Sequence, residues 1–233
     1  MLGDGGLTPA ELRSFRTGLA EILPQGAVLA VWGLDAREAG LLPGEGAAVT
    51  RAVPSRRLEF ARGRACARAA LAALGRDPVA VPVGPDREPI WPDGIVGSIT
   101  HAGNRVAAVV APASDIVAIG IDVETRRPMT PEVRDKVVLP DDRVDAGEAE
   151  PLVVFSAKEA VFKALFPGSR VWMGFDAVIL EAEGQGGRLR ARPSGLSPAS
   201  PGVEDLSGAY RVSDEWVTTA FWRRFEPQDA RRG

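Results

Sequence analysis

Val117-Ala-Ile-Gly-Ile-Asp-Val-Glu124 and, further on, Phe155-Ser-Ala-Lys-Glu-Ala-Val-Phe-Lys163 are the stretches from which the rest of the chain can be read. The first has the period of a strand. Ile119, Ile121 and Val123 alternate with Gly120, Asp122 and Glu124, so one face is apolar and the other carries two carboxylates. Gly120 on the polar face is read as room for a ligand to approach the backbone. The second stretch has the composition of a helix over residues 156–166. Ser156 and Glu159 have capping-box spacing, and Glu159 and Lys163 share a face at i, i+4.

Brought together, the two stretches offer the carboxylates of Asp122, Glu124 and Glu159 and the ammonium groups of Lys158 and Lys163. Hard oxygen donors of this kind suit Mg²⁺, which usually takes one or two protein carboxylates plus phosphate oxygens. The lysines then meet the remaining phosphate charge. Read blandly, the same residues are a solvated strand end and a surface pair. Lysine usage favours the chemistry, because Lys136, Lys158 and Lys163 are the only lysines in an arginine-rich chain and two of them fall here.

Ile-Gly-Ile-Asp-Val-Glu followed by Phe-Ser-Ala-Lys-Glu-Ala-Val-Phe-Lys resembles the paired signature of the Sfp-type 4′-phosphopantetheinyl transferases, and more specifically their EntD-like, single-chain bacterial branch. The resemblance implies an α+β fold of two similar α/β halves related by a pseudo-twofold axis, with the active site in the cleft between them. It implies Mg²⁺-dependent transfer of 4′-phosphopantetheine from coenzyme A to a serine of an acyl or peptidyl carrier protein, releasing adenosine 3′,5′-bisphosphate. Asp122, Glu124 and Glu159 become the metal ligands, and Glu159, Lys163 and Asp122 the catalytic groups. A silent coenzyme A or carrier-binding protein, or a phosphoryl or nucleotidyl transferase on a small molecule, are the competing readings. The second lacks a Gly-x-x-x-x-Gly-Lys-Ser/Thr loop.

Upstream, Thr8, Pro9 and Glu11 mark the start of a helix running to about Leu23, and Val28–Trp32 reads as a strand. Ser55 is read as the cap of a long helix, Arg56 to Leu74, closed by Gly75. It carries five arginines and one glutamate. Arg-Arg-x-Glu-Phe-x-x-Gly-Arg resembles the family stretch that holds the coenzyme A phosphates, which assigns Arg56, Arg57 and Arg64 to that role. Guanidinium suits it because it binds phosphate bidentately. Val79–Val83 reads as a short strand and 84–94 as a rigid loop, in which the resemblance makes Arg87 the nucleotide cation. Gly97-Ser-Ile-Thr-His-Ala-Gly103 holds the only histidine in a glycine-flanked segment near a tight turn. The resemblance assigns Thr100 and His101, with Lys158 and Lys163, to the pyrophosphate.

After the strand from Arg105 to Ala111, Pro112–Asp115 turns the chain, and the expected halves are 1–113, with the nucleotide contacts, and 114–233, with the metal and catalytic signatures. Residues 126–150 read as a polar, proline-bearing connection with one helix after Thr130. Strands follow at 177–183, 189–192, 210–212 and 216–225, with a Pro/Ser/Gly-rich loop at 193–202. The 233 residues are 45% hydrophobic and carry a net charge of −3, which gives a sizeable core and no sign of nucleic-acid binding. One cysteine, Cys66, excludes an intrachain disulfide. With no apolar run near the roughly 20 residues of a membrane span and no signal-peptide pattern, the expectation is a cytoplasmic monomer away from membranes. Siderophore, antibiotic, polyketide and nonribosomal-peptide synthesis are the pathways the resemblance offers.

Overall fold

The computed structural model describes residues 7–184 and 186–226. It has mixed α and β architecture with two antiparallel sheets. The first holds β1 (Val28–Val31), β2 (Ile95–Ala102) and β3 (Arg105–Pro112) in the order β1-β3-β2. The second holds β4 (Ile116–Thr125), β5 (Val178–Ala182), β6 (Arg188–Pro193), β7 (Ser207–Val212) and β8 (Trp216–Arg224) in the order β4-β8-β7-β6-β5. The α-helices among the described residues are α1 (Pro9–Ala20), α2 (Pro54–Ala73), α3 (Pro131–Val137) and α4 (Glu150–Ser169).

Each sheet is covered by one twenty-residue helix. α2 sets Cys66, Ala67, Ala70 and Leu71 on Ala30, Val106, Ala108 and Val110 of the first sheet. α4 sets Val153, Ala157, Ala160, Val161 and Ala164 over the second, against Leu180, Leu189, Val217 and Phe221. The alternation in β4 works as its sequence suggests. Ile119, Ile121 and Val123 join Leu12, Phe15 and Leu19 of α1 and Val31 and Val109 of the first sheet in a core that links both sheets.

The other face of β4 meets α4, and there Gly120 corrects the expectation. A Cβ at Gly120 would lie 2.0 Å from the Ala160 carbonyl oxygen and 2.5 Å from the Ala164 nitrogen. The space is filled by the helix backbone, so the glycine lets α4 come close and leaves none for a ligand. Gly120 thereby fixes how deep the helix sits over its neighbours Asp122 and Glu124.

The two sheets share no ladder. Between them the Ile121 N–H donates to Ser98 Oγ at 3.1 Å and the Val123 N–H to Thr100 Oγ1 at 3.0 Å. Hydroxyls of β2 thus take backbone donors of β4 that its own sheet leaves open. Arg105 adds an ion pair to Glu215 at 2.6 Å and lies 4.4 Å from the Trp216 ring centroid.

Four local readings change. α2 starts at Pro54 after Val53, and Ser55 caps nothing. Val79–Val83 is not a strand; the Val81 N–H goes to the buried Glu45 carboxylate at 3.0 Å, and only a Val83–Pro89 bridge remains. The segment around Thr100 and His101 is a regular strand, β2. α4 begins at Glu150, with Pro151 in its first turn, so Ser156 lies two turns inside it and the capping box with Glu159 does not exist.

Candidate active site

The geometry of α4 on β4 decides the site. Because α4 starts early, Ser156 faces β4 from inside the helix. Its hydroxyl donates to Asp122 Oδ2 at 2.8 Å and shares a hydrogen bond with Thr219 Oγ1 at 2.9 Å. Asp122 Oδ1 accepts from Thr100 at 3.3 Å and from Lys163 Nζ at 2.5 Å. The carboxylate is 4% exposed and fully held. Glu159, freed from any capping role, stands one turn before Lys163 on the same face.

Asp122, Glu159 and Lys163 line a cleft of about 570 Å³, with Arg56, Glu59 and Arg64 from α2, Arg87, Thr100, His101 and Glu124. Phe155, Phe162 and Trp172 form its aromatic side. Trp172 is 72% exposed and meets Phe162 edge-on at 5.1 Å.

The electrostatics are those of an acid-rich centre short of cations. Burial first, then Asp122, pushes the Glu124 carboxyl up to about 7 against Lys163 and Arg127, with Glu159 adding to the rise. Burial also raises Glu159, Lys163 opposes it, and Asp122 adds to it. Three carboxylates crowd one ammonium, a donor set that fits a divalent cation. The expected cage of Asp122, Glu124 and Glu159 is nevertheless not assembled. No group of three acidic, histidine or cysteine side chains able to hold a metal occurs among the described residues. Asp122 has both oxygens engaged, and the Lys163 ammonium supplies the positive charge among the acids.

The other wall is basic. Arg64 is 5% exposed, packs 4.3 Å over the Phe60 ring, and leaves its Nε buried without a partner. Burial pulls its pKa down to about 10, with Glu45 opposing the shift and Arg68 adding to it. A desolvated guanidinium with an unmet donor is ready for an anion. Arg56 donates to Glu59 at 2.9 Å and to His101 Nε2 at 3.1 Å, while His101 Nδ1–H donates to Glu59. The proton on Nδ1 leaves the ring neutral. Burial holds its pKa below the ordinary value, Glu59 opposes this, Arg56 and Lys163 reinforce it, and Asp122 opposes it.

Three assignments are corrected. Arg57 is not in the cleft; its guanidinium donates to the Ala52 carbonyl at 2.9 Å and to that of Thr50, closing the turn before α2. Lys158 lies outside it too. Its ammonium is buried on Asp142 Oδ2 at 2.9 Å and the carbonyls of Val137 at 2.8 Å and Phe175 at 2.9 Å. Thr100 lines the cleft, but its hydroxyl donates to Asp122. The reading passed over Glu59, Phe155, Phe162 and Trp172. Glu59 was findable, being three residues after Arg56 on one helix face; Trp172 has no local signature.

Comparison with known proteins adds descent to this geometry. Residues 44–111 match the model of the 4′-phosphopantetheinyl transferase N-terminal domain, and residues 118–218 that of the 4′-phosphopantetheinyl transferase superfamily. 4′-Phosphopantetheinyl transferase Svp of Streptomyces mobaraensis is 37% identical over 87% of this chain and 87% of its own. 4′-Phosphopantetheinyl transferase PptT of Mycobacterium tuberculosis is 36% identical over 77% of this chain and 84% of its own. Enterobactin synthase component D of Escherichia coli K12 is 36% identical over 47% and 54%.

Proposed function

The chain belongs to the 4′-phosphopantetheinyl transferase superfamily, enzymes that transfer the phosphopantetheine group from coenzyme A to carrier proteins, and from that premise we propose how its residues divide the work. Arg64 and Arg56, with His101 and Arg87, take the phosphates of the nucleotide end, from the half formed by 1–113. Lys163 meets the pyrophosphate, and Glu124 and Glu159 face it from the half formed by 114–233. The observation that supports this division is the facing of a desolvated Arg64 and a crowded carboxylate centre across one cleft.

Enzymes of this family use a divalent metal, and Mg²⁺ is the ion we propose. Glu124 and Glu159 would hold it with phosphate oxygens, and Asp122 would join on exchanging Lys163. When bound, such an ion neutralises charge building on the leaving phosphate. Glu159 accepts the proton of the carrier serine, directly or through water. General-base help of this kind is worth roughly 10²–10⁴-fold. The serine oxygen bonds to the pantetheine-side phosphorus as the bond to adenosine 3′,5′-bisphosphate breaks. Lys163 and the arginines hold the departing charge. Phe155, Phe162 and Trp172 offer the apolar side of the cleft to the rest of the donor.

Both walls come from one chain, which suits a monomer. No described helix is long and apolar enough to cross a membrane, and Cys66 is a buried thiol with no partner to oxidise with, as a reducing cytoplasm favours. Carriers of siderophore, polyketide or nonribosomal-peptide assembly are the proposed acceptors. The test is the intact mass of purified apo-carriers of each class after incubation with the enzyme, Mg²⁺ and coenzyme A. A gain of one phosphopantetheinyl group, lost with Asp122→Ala, is expected. No gain on any carrier despite coenzyme A binding would overturn the reading.

A further inference from the structure

The loop that brings Arg87 to the cleft is a tight hairpin. The Gly84 N–H donates to the Glu88 carbonyl at 2.8 Å, that of Arg87 to Gly84 at 3.1 Å, and that of Ile90 to Pro82 at 3.0 Å. This is a turn closed by a left-handed residue, a place where glycine is the usual occupant. Arginine stands there instead, with φ 71°. On the opposite half, α4 ends in the same conformation: its C-cap Arg170 has φ 58° and donates its N–H to the Phe166 carbonyl at 2.9 Å. These are the two non-glycine residues with positive φ among those described.

One of them makes an ion pair and the other adjoins it in the chain. The Arg170 guanidinium bonds Glu88 Oε1 and reaches Asp86 Oδ2 at 3.5 Å. The Glu88 side chain is 5% exposed, and its second oxygen accepts the Asp86 N–H at 3.0 Å. It lies so close to Gly84 that a Cβ there would fall 2.1 Å from Oε1. The hairpin is thus folded around the carboxylate, and the carboxylate is anchored by the other half of the protein. Glu88 borders both the cleft and a second cavity of about 660 Å³, which Arg170 also lines.

We infer that Glu88 and Arg170 are positioning residues for the donor: their pair clasps the two halves and holds Arg87, through its strained hairpin, at the coenzyme A phosphates. The inference rests on the reading of this cleft as the coenzyme A site. Backbone strain persists only where surroundings over-determine it, and here the hairpin that carries Arg87 is held by Glu88, through the Gly84 and Asp86 N–H groups, and by Arg170 on the Glu88 carboxylate. The pair lies at the edge of the cores, since the Arg170 side chain is 50% exposed and its guanidinium touches them only at the Phe166 ring, 5.9 Å from the centroid.

The experiment measures the coenzyme A Kd by calorimetry and KM and kcat by carrier mass shift, for Arg170→Ala, Glu88→Gln, Arg170→Lys, Arg87→Ala and the Arg87→Ala/Arg170→Ala double. Loss of a charge-assisted bond to a buried carboxylate should weaken coenzyme A binding about five- to tenfold in the first two, with kcat within about twofold. Arg170→Lys should recover most of the loss. The double variant should bind no worse than Arg87→Ala alone, because the clasp acts through that arginine. An unchanged Kd in Arg170→Ala, or losses that multiply in the double variant, would overturn the inference. If no carrier gains mass, the transferase reading falls, while the Kd values still decide the clasp.

Discussion

Ser156 on α4 and Asp122 on β4 are joined by a 2.8 Å hydrogen bond from hydroxyl to Oδ2, so the helix aims the strand's carboxylate. Lys163 and Thr100 hold the other oxygen. Ser156→Ala should therefore lower kcat about tenfold, the scale of one hydrogen bond to a charged group, with little change in coenzyme A KM. Thr100→Val should behave alike, since its hydroxyl serves Asp122. A rise in KM alone for Thr100→Val would restore that residue to direct phosphate binding.

Arg64 and Arg57 sit on one helix and should part company in kinetics. Arg64→Ala should raise coenzyme A KM roughly ten- to a hundredfold, the range for losing a bidentate charge-assisted contact. Arg57→Ala should leave KM within about threefold and lower the melting temperature, because its guanidinium holds the turn at Thr50 and Ala52. Equal KM effects in the two would contradict this division.

Lys158 predicts a stability effect in place of a binding one. Its ammonium is buried on Asp142, and Asp142 also accepts the Leu139 and Leu180 N–H groups at 2.8 Å each. Lys158→Ala strands that carboxylate, and breaking such a buried pair costs about 3–5 kcal/mol. Denaturant unfolding should show the loss, and the folded fraction should bind coenzyme A with wild-type Kd. A weakened Kd would return Lys158 to the donor site.

Glu124 gives the pH dependence. Its carboxyl titrates at about 7 in the fold against an ordinary 4.5, so the folded state keeps a proton the unfolded chain has released in between. Stability from this group is complete below pH 4.5 and is lost as pH rises toward about 7. Melting temperatures should fall across that window in the free enzyme, and Glu124→Gln should flatten the slope. Added Mg²⁺ with adenosine 3′,5′-bisphosphate favours the ionised carboxyl, so the stabilisation it gives should be larger at pH 8 than at pH 6. Equal shifts at both would remove Glu124 from the ion's neighbours.

Local patterns carried much of this in the sequence. The Thr8–Glu11 capping box forms, with the Glu11 N–H on Thr8 Oγ1, and the alternation of β4 puts its acids on one face and its aliphatics on the other. Where reading failed, the deciding residue lay outside the motif, a few residues upstream for Ser156 and far along the chain for Gly120 and Lys158. Ser156 and Glu159 have a cap's spacing, yet the helix had already begun at Glu150 because Pro151 fits its first turn. Gly120 looked like space for a ligand, since nothing local says that Ala160 will fill it. Lys158 stands next to Glu159 in sequence, but its three acceptors come from separate segments, each unremarkable by itself.

The join between the sheets has a mechanical meaning. Each strand is laced to its own sheet by backbone ladders, whereas β2 and β4 meet through the hydroxyls of Ser98 and Thr100. Side-chain links yield before ladders do, so the molecule has a built-in shear line, and that line runs past Asp122. Pulling or thermal jostling that slides one half along the other would disturb the aim of the acid long before either sheet loosened. Inactivation should therefore precede unfolding, as a tool loses its alignment before its parts wear out.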